Sequence, residues 1–175
     1  MLSRRTIGPA TVPPEEYHSG VQVPTERTEP RLKEPIRILM VDDSRSICLA
    51  VRELLSDLAN VEFVSCNDPT RALETARACR PSVILQDVDM PNLNGYDLLR
   101  TYRKTLETKR IPVIMHTARG DSEDKAKAFS LGASDYLVKH EDSLELKARL
   151  LYHGQRYQAQ KKGPAAPRDH LVPTT

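Results

Sequence analysis

The sequence predicts an α/β fold: a doubly wound sandwich of three layers, with helices covering both faces of a five-stranded parallel sheet. Three observations carry this expectation. Five short apolar runs alternate strictly with five longer amphipathic ones between residues 36 and 160. The short runs are continuously apolar and rich in β-branched residues, as strands buried on both faces are. Strict strand–helix alternation closes into a parallel sheet, because each crossover lays a helix against it.

The first strand is Ile36–Val41. The following segment, Ser44–Ala59, puts Ile47, Val51, Leu54, Leu55 and Leu58 on one helical stripe. Val61–Cys66 is the second strand. Asp68-Pro69 then reads as an N-cap followed by proline at the first helical position, opening a helix over Thr70–Cys79. Ser82–Asp87 is the third strand. After a Pro-Asn-Leu-Asn-Gly loop, Tyr96–Glu107 reads as helix, and Ile111–Ala118 is the fourth strand. Ser122–Ala133 is the fourth helix, stopped by Gly132. Ser134–Lys139 is the fifth strand, and the last helix runs from Ser143 toward Gln160 with Leu144, Ala148 and Leu151 on one face. Gly154 reads as a weak point in it, costing about 1 kcal/mol relative to Ala.

Outside this region the chain changes character. Residues 1–35 hold six of the thirteen prolines and residues 163–175 hold three. Both ends are too poor in large apolar residues to offset the entropy of ordering. The expected organisation is a disordered N-terminal tail over 1–35, one domain over 36–160 and a disordered C-terminal tail over 161–175. The formal net charge of +2 gives no basic field that argues for nucleic acid, and two Phe and no Trp leave few rings to stack on bases. Cys48, Cys66 and Cys79 show no CxxC spacing and read as reduced, buried thiols. Neither a secretory signal nor an apolar run of the roughly 18 residues a membrane span needs is present. The expectation is a cytoplasmic protein with no nucleic-acid and no membrane partner.

Polar chemistry gathers at the C-terminal ends of the strands. The first ends in Asp42-Asp43, the third in Asp87, the fourth in Thr117-Ala118 and the fifth in Lys139. Ligands of such sheets bind outside these ends, where the strand order switches. Three carboxylates packed together raise one another's pKa unless a cation sits among them. Mg²⁺, with its preference for oxygen ligands, fits that need, and Mn²⁺ could substitute. A lysine and a threonine beside it suit a phosphoryl group, which suggests an acyl phosphate on an aspartate. Plainer roles exist for each residue. Asp42 or Asp43 could cap the first helix, Asp87 could end a strand in a turn, and Lys139 could be a surface lysine. Thr117 and Tyr136 could be ordinary sheet residues. His116, His140 and His153 show no ligand spacing.

The segments MVDDS, VILQDVDMPNLNG, IPVIMHTA and GASDYLVK, in this order and on these elements, resemble the receiver domain of two-component response regulators over about Ile36 to Gln160. The resemblance implies a flavodoxin-like (βα)5 fold and a phosphorelay role. It implies Asp87 as phosphoacceptor, and Mg²⁺ held by Asp42, Asp43, Asp87 and the backbone carbonyl of Asp89. Thr117 and Lys139 would contact the phosphoryl group, and Tyr136 would change rotamer as Thr117 moves. The implied donor is a sensor histidine kinase or phosphotransfer protein. A downstream protein would dock on the face made by the fourth helix, fifth strand and fifth helix. The protein would be a monomer or a weak, phosphorylation-dependent homodimer, and no enzyme beyond its own phosphorylation and dephosphorylation. The pattern departs at Lys139-His140, where the family usually carries proline, often after a cis bond. Asp89 and Arg119 are expected to rim the site as an ion pair.

The output is open at this level. The chain most resembles receivers found ahead of diguanylate cyclases, so a truncated regulator of that kind is one alternative. A phosphorylation-independent interaction module is another. An aspartyl-phosphate phosphatase or mutase would place a DxD motif early in the chain, whereas here the doublet is adjacent and the nucleophile lies on the third strand.

Overall fold

The computed structural model describes residues 34–91, 93–139 and 143–163. The expected tails therefore fall almost wholly outside the described residues.

Five parallel strands form the sheet: β1 (Ile36–Val41), β2 (Val61–Cys66), β3 (Val83–Asp87), β4 (Val113–Thr117) and β5 (Asp135–Val138), in the order β2-β1-β3-β4-β5. This is the doubly wound arrangement expected, with its switch point between β1 and β3. The helices are α1 (Arg45–Leu54), α2 (Ala72–Cys79), α3 (Gly95–Lys104), α4 (Ser122–Ser130) and α5 (Ser143–Lys162). Side chains alternate across each strand, which divides the core in two. Ile38, Met40, Leu85, Ile114 and Leu137 pack with Cys48, Val51 and Leu55 below α1 and with Leu150 of α5. Leu39, Val41, Ile84, Val113 and Met115 face α2, α3 and α4, among them Ala76, Leu99, Tyr102 and Ala128.

The differences from expectation have local causes. Helix α1 stops at Leu54 rather than Ala59, where Ser56 donates its hydroxyl to Glu53 O at 2.7 Å and closes a turn. Asp68 caps a 3₁₀ turn, Pro69–Arg71, before α2 begins. Helix α3 ends at Lys104 because Thr105 turns extended and the Thr108 hydroxyl takes the Tyr102 carbonyl at 2.9 Å. A short antiparallel ladder, Asp89–Met90 with Leu93–Asn94, occupies the loop after β3. Gly132 does stop α4, in a left-handed conformation at φ +94°. Gly154 is a close approach rather than a weak point: a Cβ there would sit 2.5 Å from Ile36 Cγ2, so glycine lets α5 lie against β1. Cys48 and Cys66 are buried thiols, as expected, and Cys79 is half-buried.

Candidate functional site

Strand register brings the predicted residues to one place. Val41 pairs with Gln86, Asp87 with His116 and Thr117 with Val138, so Asp42, Asp87, Thr117 and Lys139 emerge together at the sheet's C-terminal edge. Asp42 is fully buried and Asp87 is 4% exposed, whereas Asp43 faces solvent. One oxygen from each of the three carboxylates lies within 4.8 Å of the others. Lys139 Nζ sits between the two buried acids, 2.8 Å from Asp42 Oδ2 and 2.9 Å from Asp87 Oδ1.

Neither acid of the doublet caps α1. Ser44 does so, accepting from the Ile47 amide at 3.4 Å, and Asp42 Oδ1 in turn accepts from the Ser44 amide at 2.9 Å. Asp42 Oδ2 is buried and takes no hydrogen bond of good angle, although Lys139 is close, so that contact is Coulombic rather than directional. Burial pushes the Asp87 carboxyl above the usual carboxylate range; the Asp42 charge adds to this and Lys139 opposes it. Burial works against the Lys139 ammonium, but the adjacent Asp42 and Asp87 carboxylates outweigh that and raise its pKa. Two buried acids and a third beside them share one ammonium, and a buried carboxylate oxygen lacks a directional partner. That set of hard oxygen donors fits a divalent cation such as Mg²⁺.

The remaining predicted residues lie around this centre. The Thr117 side chain is fully buried, and its hydroxyl accepts from the Arg119 amide at 3.2 Å. Tyr136 is buried too and donates its hydroxyl to the Arg119 carbonyl at 2.9 Å. The Arg119 backbone thus joins the two residues expected to switch. Its side chain lies 3.0 Å from Asp89 Oδ1 and reaches Asp124 Oδ2 at 3.9 Å. The expected rim pair is present, and being exposed it adds little stability, on the order of 0–1 kcal/mol. The Lys139–His140 peptide lies outside the described residues.

Three contributors carried no signal strong enough to be singled out from the sequence. A Cβ on Gly95 would meet the Asp87 carbonyl oxygen at 2.0 Å, so only glycine lets α3 begin against the end of β3. Asn67 donates to the Asp42 carbonyl at 2.8 Å and fixes the turn that carries the doublet. Buried Gln86 donates to the Asp87 carbonyl at 2.9 Å and accepts from the Tyr102 hydroxyl at 3.0 Å. Of these, only Gly95 had even a weak local signal, as the glycine closing Pro-Asn-Leu-Asn-Gly.

Known proteins are similar to this chain. The response regulator receiver domain family matches residues 38–151. The transcriptional regulatory protein CpxR of Escherichia coli is 39% identical over 114 residues, 65% of this chain and 47% of that protein. A probable transcriptional regulator, ycf27 of Cyanophora paradoxa, is also 39% identical, over 65% of this chain and 46% of its own length. The chain thus spans about half the length of the curated relatives it matches. Among solved structures, the chemotaxis protein CheY4 of Vibrio cholerae superposes with a TM-score of 0.62 at 32% identity, over 67% of this chain and 98% of its own. A CheY-like receiver domain protein from Methanospirillum hungatei, at 22% identity and a TM-score of 0.65 over 74% of this chain and 99% of its own, shares the fold. The named regulators give no support to the expected link with diguanylate cyclases, nor to the expectation that nucleic acid plays no part. No described helix is long and apolar enough to cross a membrane. With its sheet order, its acidic switch point and these relatives, the chain belongs to the response regulator receiver domain family.

Proposed function

We propose that the protein is the phosphoacceptor of a two-component phosphorelay and that Asp87 carries the phosphoryl group. The observation that carries this reading is the pairing of Lys139 with Asp42 and Asp87 at 2.8 and 2.9 Å, both acids being buried. One Asp87 carboxylate oxygen forms a P–O bond as the P–N bond of a phosphohistidine on a sensor kinase or phosphotransfer protein breaks. The imidazole leaves with the electron pair. Asp42, Asp43, Asp87 and the Asp89 carbonyl would hold Mg²⁺, which when bound neutralises charge on the phosphoryl oxygens. Lys139 exchanges its Asp87 oxygen for a phosphoryl oxygen and keeps its contact to Asp42. The protein is no turnover enzyme, acting only in the formation and hydrolysis of its own acyl phosphate.

The phosphoryl group adds charge and acceptor oxygens beside Thr117. The Thr117 hydroxyl then releases the Arg119 amide and donates to one of them. The same Arg119 residue holds the Tyr136 hydroxyl through its carbonyl, so the two contacts change together and shift a two-state population. The downstream partner docks on the face of α4, β5 and α5, where Phe129 and Tyr152 are half-exposed. The domain remains a monomer or forms a weak homodimer on phosphorylation. We take the output to be transcriptional control, as the names of the relatives state for them. Intact-mass measurement after incubation with acetyl phosphate tests the reading. One phosphoryl adduct is expected with Mg²⁺, and none after chelation or in Asp87→Asn; an adduct of equal yield in the variant would overturn it.

A further inference from the structure

The pole of the domain opposite Asp87 is strongly basic, and nothing in the phosphorelay reading uses it. Three adjoining clefts of about 390, 390 and 170 Å³ run along the N-terminal edge of the sheet. The first two share Ile111 and Tyr157, and the last two share Arg80, Tyr157 and Lys161, so together they form one trough. Eight Lys and Arg side chains line it against two acids. Outside it the described residues carry 12 Lys and Arg against 15 Asp and Glu. Among the described residues, the excess of positive charge lies at this trough.

Two of the eight are already neutralised: Arg37 pairs with Glu62 at 2.6 Å and Arg77 with Glu107 at 3.4 Å. Arg80, Arg103, Lys109, Arg110, Arg156 and Lys161 make no ion pair among the described residues. Arg103 is held rigidly, donating to the carbonyls of Gly132, Lys109 and Ile111 at 2.8 to 3.4 Å. Arg80 is the second, independent sign. It ends α2 in the left-handed conformation at φ +47°, the one non-glycine residue with positive φ among the described residues. Glycine or asparagine is usual at such a helix end, and an unfavourable backbone state kept by a cation points to a use for that cation.

We propose that this trough binds the phosphate backbone of double-stranded nucleic acid without reading its sequence. Charge complementarity favours a polyanion, and the spread of the cations over three joined clefts favours a linear one. The apolar wall offers a peptide no anchor, since Ile111 and Tyr157 are 3% and 9% exposed. The same burial leaves no ring on which single-stranded bases could stack. Contact would be made by charge alone and would be strongly salt-dependent through counterion release.

Fluorescence anisotropy of a labelled duplex with the full chain tests this. With four to six phosphates contacted, affinity should fall about 10²–10³-fold between about 50 and 200 mM salt. Arg80→Gly should lower the slope of log K against log salt by about 1, while the thermal midpoint stays the same or rises, because glycine suits the left-handed backbone. The pair Lys109→Glu and Arg110→Glu should abolish binding, and Arg100→Ala, outside the trough, should leave it unchanged. No duplex binding at about 50 mM salt, or an unaltered slope in Arg80→Gly, would overturn the proposal. So would tighter binding of a single strand, or binding of polyglutamate in place of duplex, which would assign the trough to an acidic protein segment.

Discussion

Replacing Lys139 by methionine removes the one ammonium that two buried carboxylates share while keeping the bulk of its side chain. Lys139 Nζ lies 2.8 and 2.9 Å from the two acids. With an effective dielectric constant of about 20, each contact is worth about 6 kcal/mol of Coulomb attraction. Desolvation of the ammonium offsets a large part of this, and breaking such a buried pair costs about 3–5 kcal/mol net. Asp87 softens the loss: burial and Asp42 already raise its pKa, so the variant can take up a proton there. A destabilisation of about 3 kcal/mol at pH 7 is the expected result. Urea unfolding reads it as a drop in midpoint of about 2 M if the slope is about 1.5 kcal/mol per M. The vacated site is more negative, so Mg²⁺ at about 10 mM should restore more stability to Lys139→Met than it adds to the wild type. A loss below about 1 kcal/mol, or equal stabilisation of both proteins by Mg²⁺, would refute the view that the acids are held together by charge.

Other consequences follow from single contacts. Gly95→Ala drives a Cβ to 2.0 Å from the backbone oxygen of Asp87, so we expect a loss of at least about 1–3 kcal/mol by thermal denaturation, together with slower phosphorylation. Gly154→Ala should also destabilise, by about 1–3 kcal/mol, instead of giving the gain of about 1 kcal/mol usual for this change in a helix; urea midpoints of the two proteins decide. Burial acts upward on Asp135, but hydrogen bonds from Arg149 and His153 outweigh it and hold its carboxyl below the ordinary value of 3.8. A depressed acid stabilises the fold above its unfolded pKa, and that contribution is lost as pH falls through its folded pKa. The stability difference between wild type and Asp135→Asn should therefore be complete at about pH 6 and shrink below about pH 3.8 in urea titrations.

The fold was legible because its strands are apolar on both faces and its helices amphipathic, a pattern few other architectures satisfy. Asp42, Asp43, Asp87, Thr117 and Lys139 were legible because each stands at the end of a strand, and parallel register carries such residues to one edge. Helix ends were less so. Thr108 and Ser56 close the turns after their helices through hydroxyl bonds to nearby carbonyls, and hydroxyl residues do that in some contexts and not in others. Gly154 was misread because a propensity scale sees only the helix, whereas its neighbour Ile36 lies 118 positions away in the chain. The supporting roles of Asn67 and Gln86 depend on long-range contacts that no local pattern announces. The basic trough was hidden by the net charge of +2, a sum that carries no information on where charges lie.

The phosphoryl group proposed on Asp87 can be located directly. Borohydride reduces an aspartyl phosphate to homoserine, and peptide mapping then reports the residue that carried it. After acetyl phosphate and Mg²⁺, homoserine is predicted at position 87 and at no other aspartate. Homoserine at Asp42 or Asp43, or a phosphoryl adduct that borohydride leaves untouched, would contradict phosphorylation of Asp87.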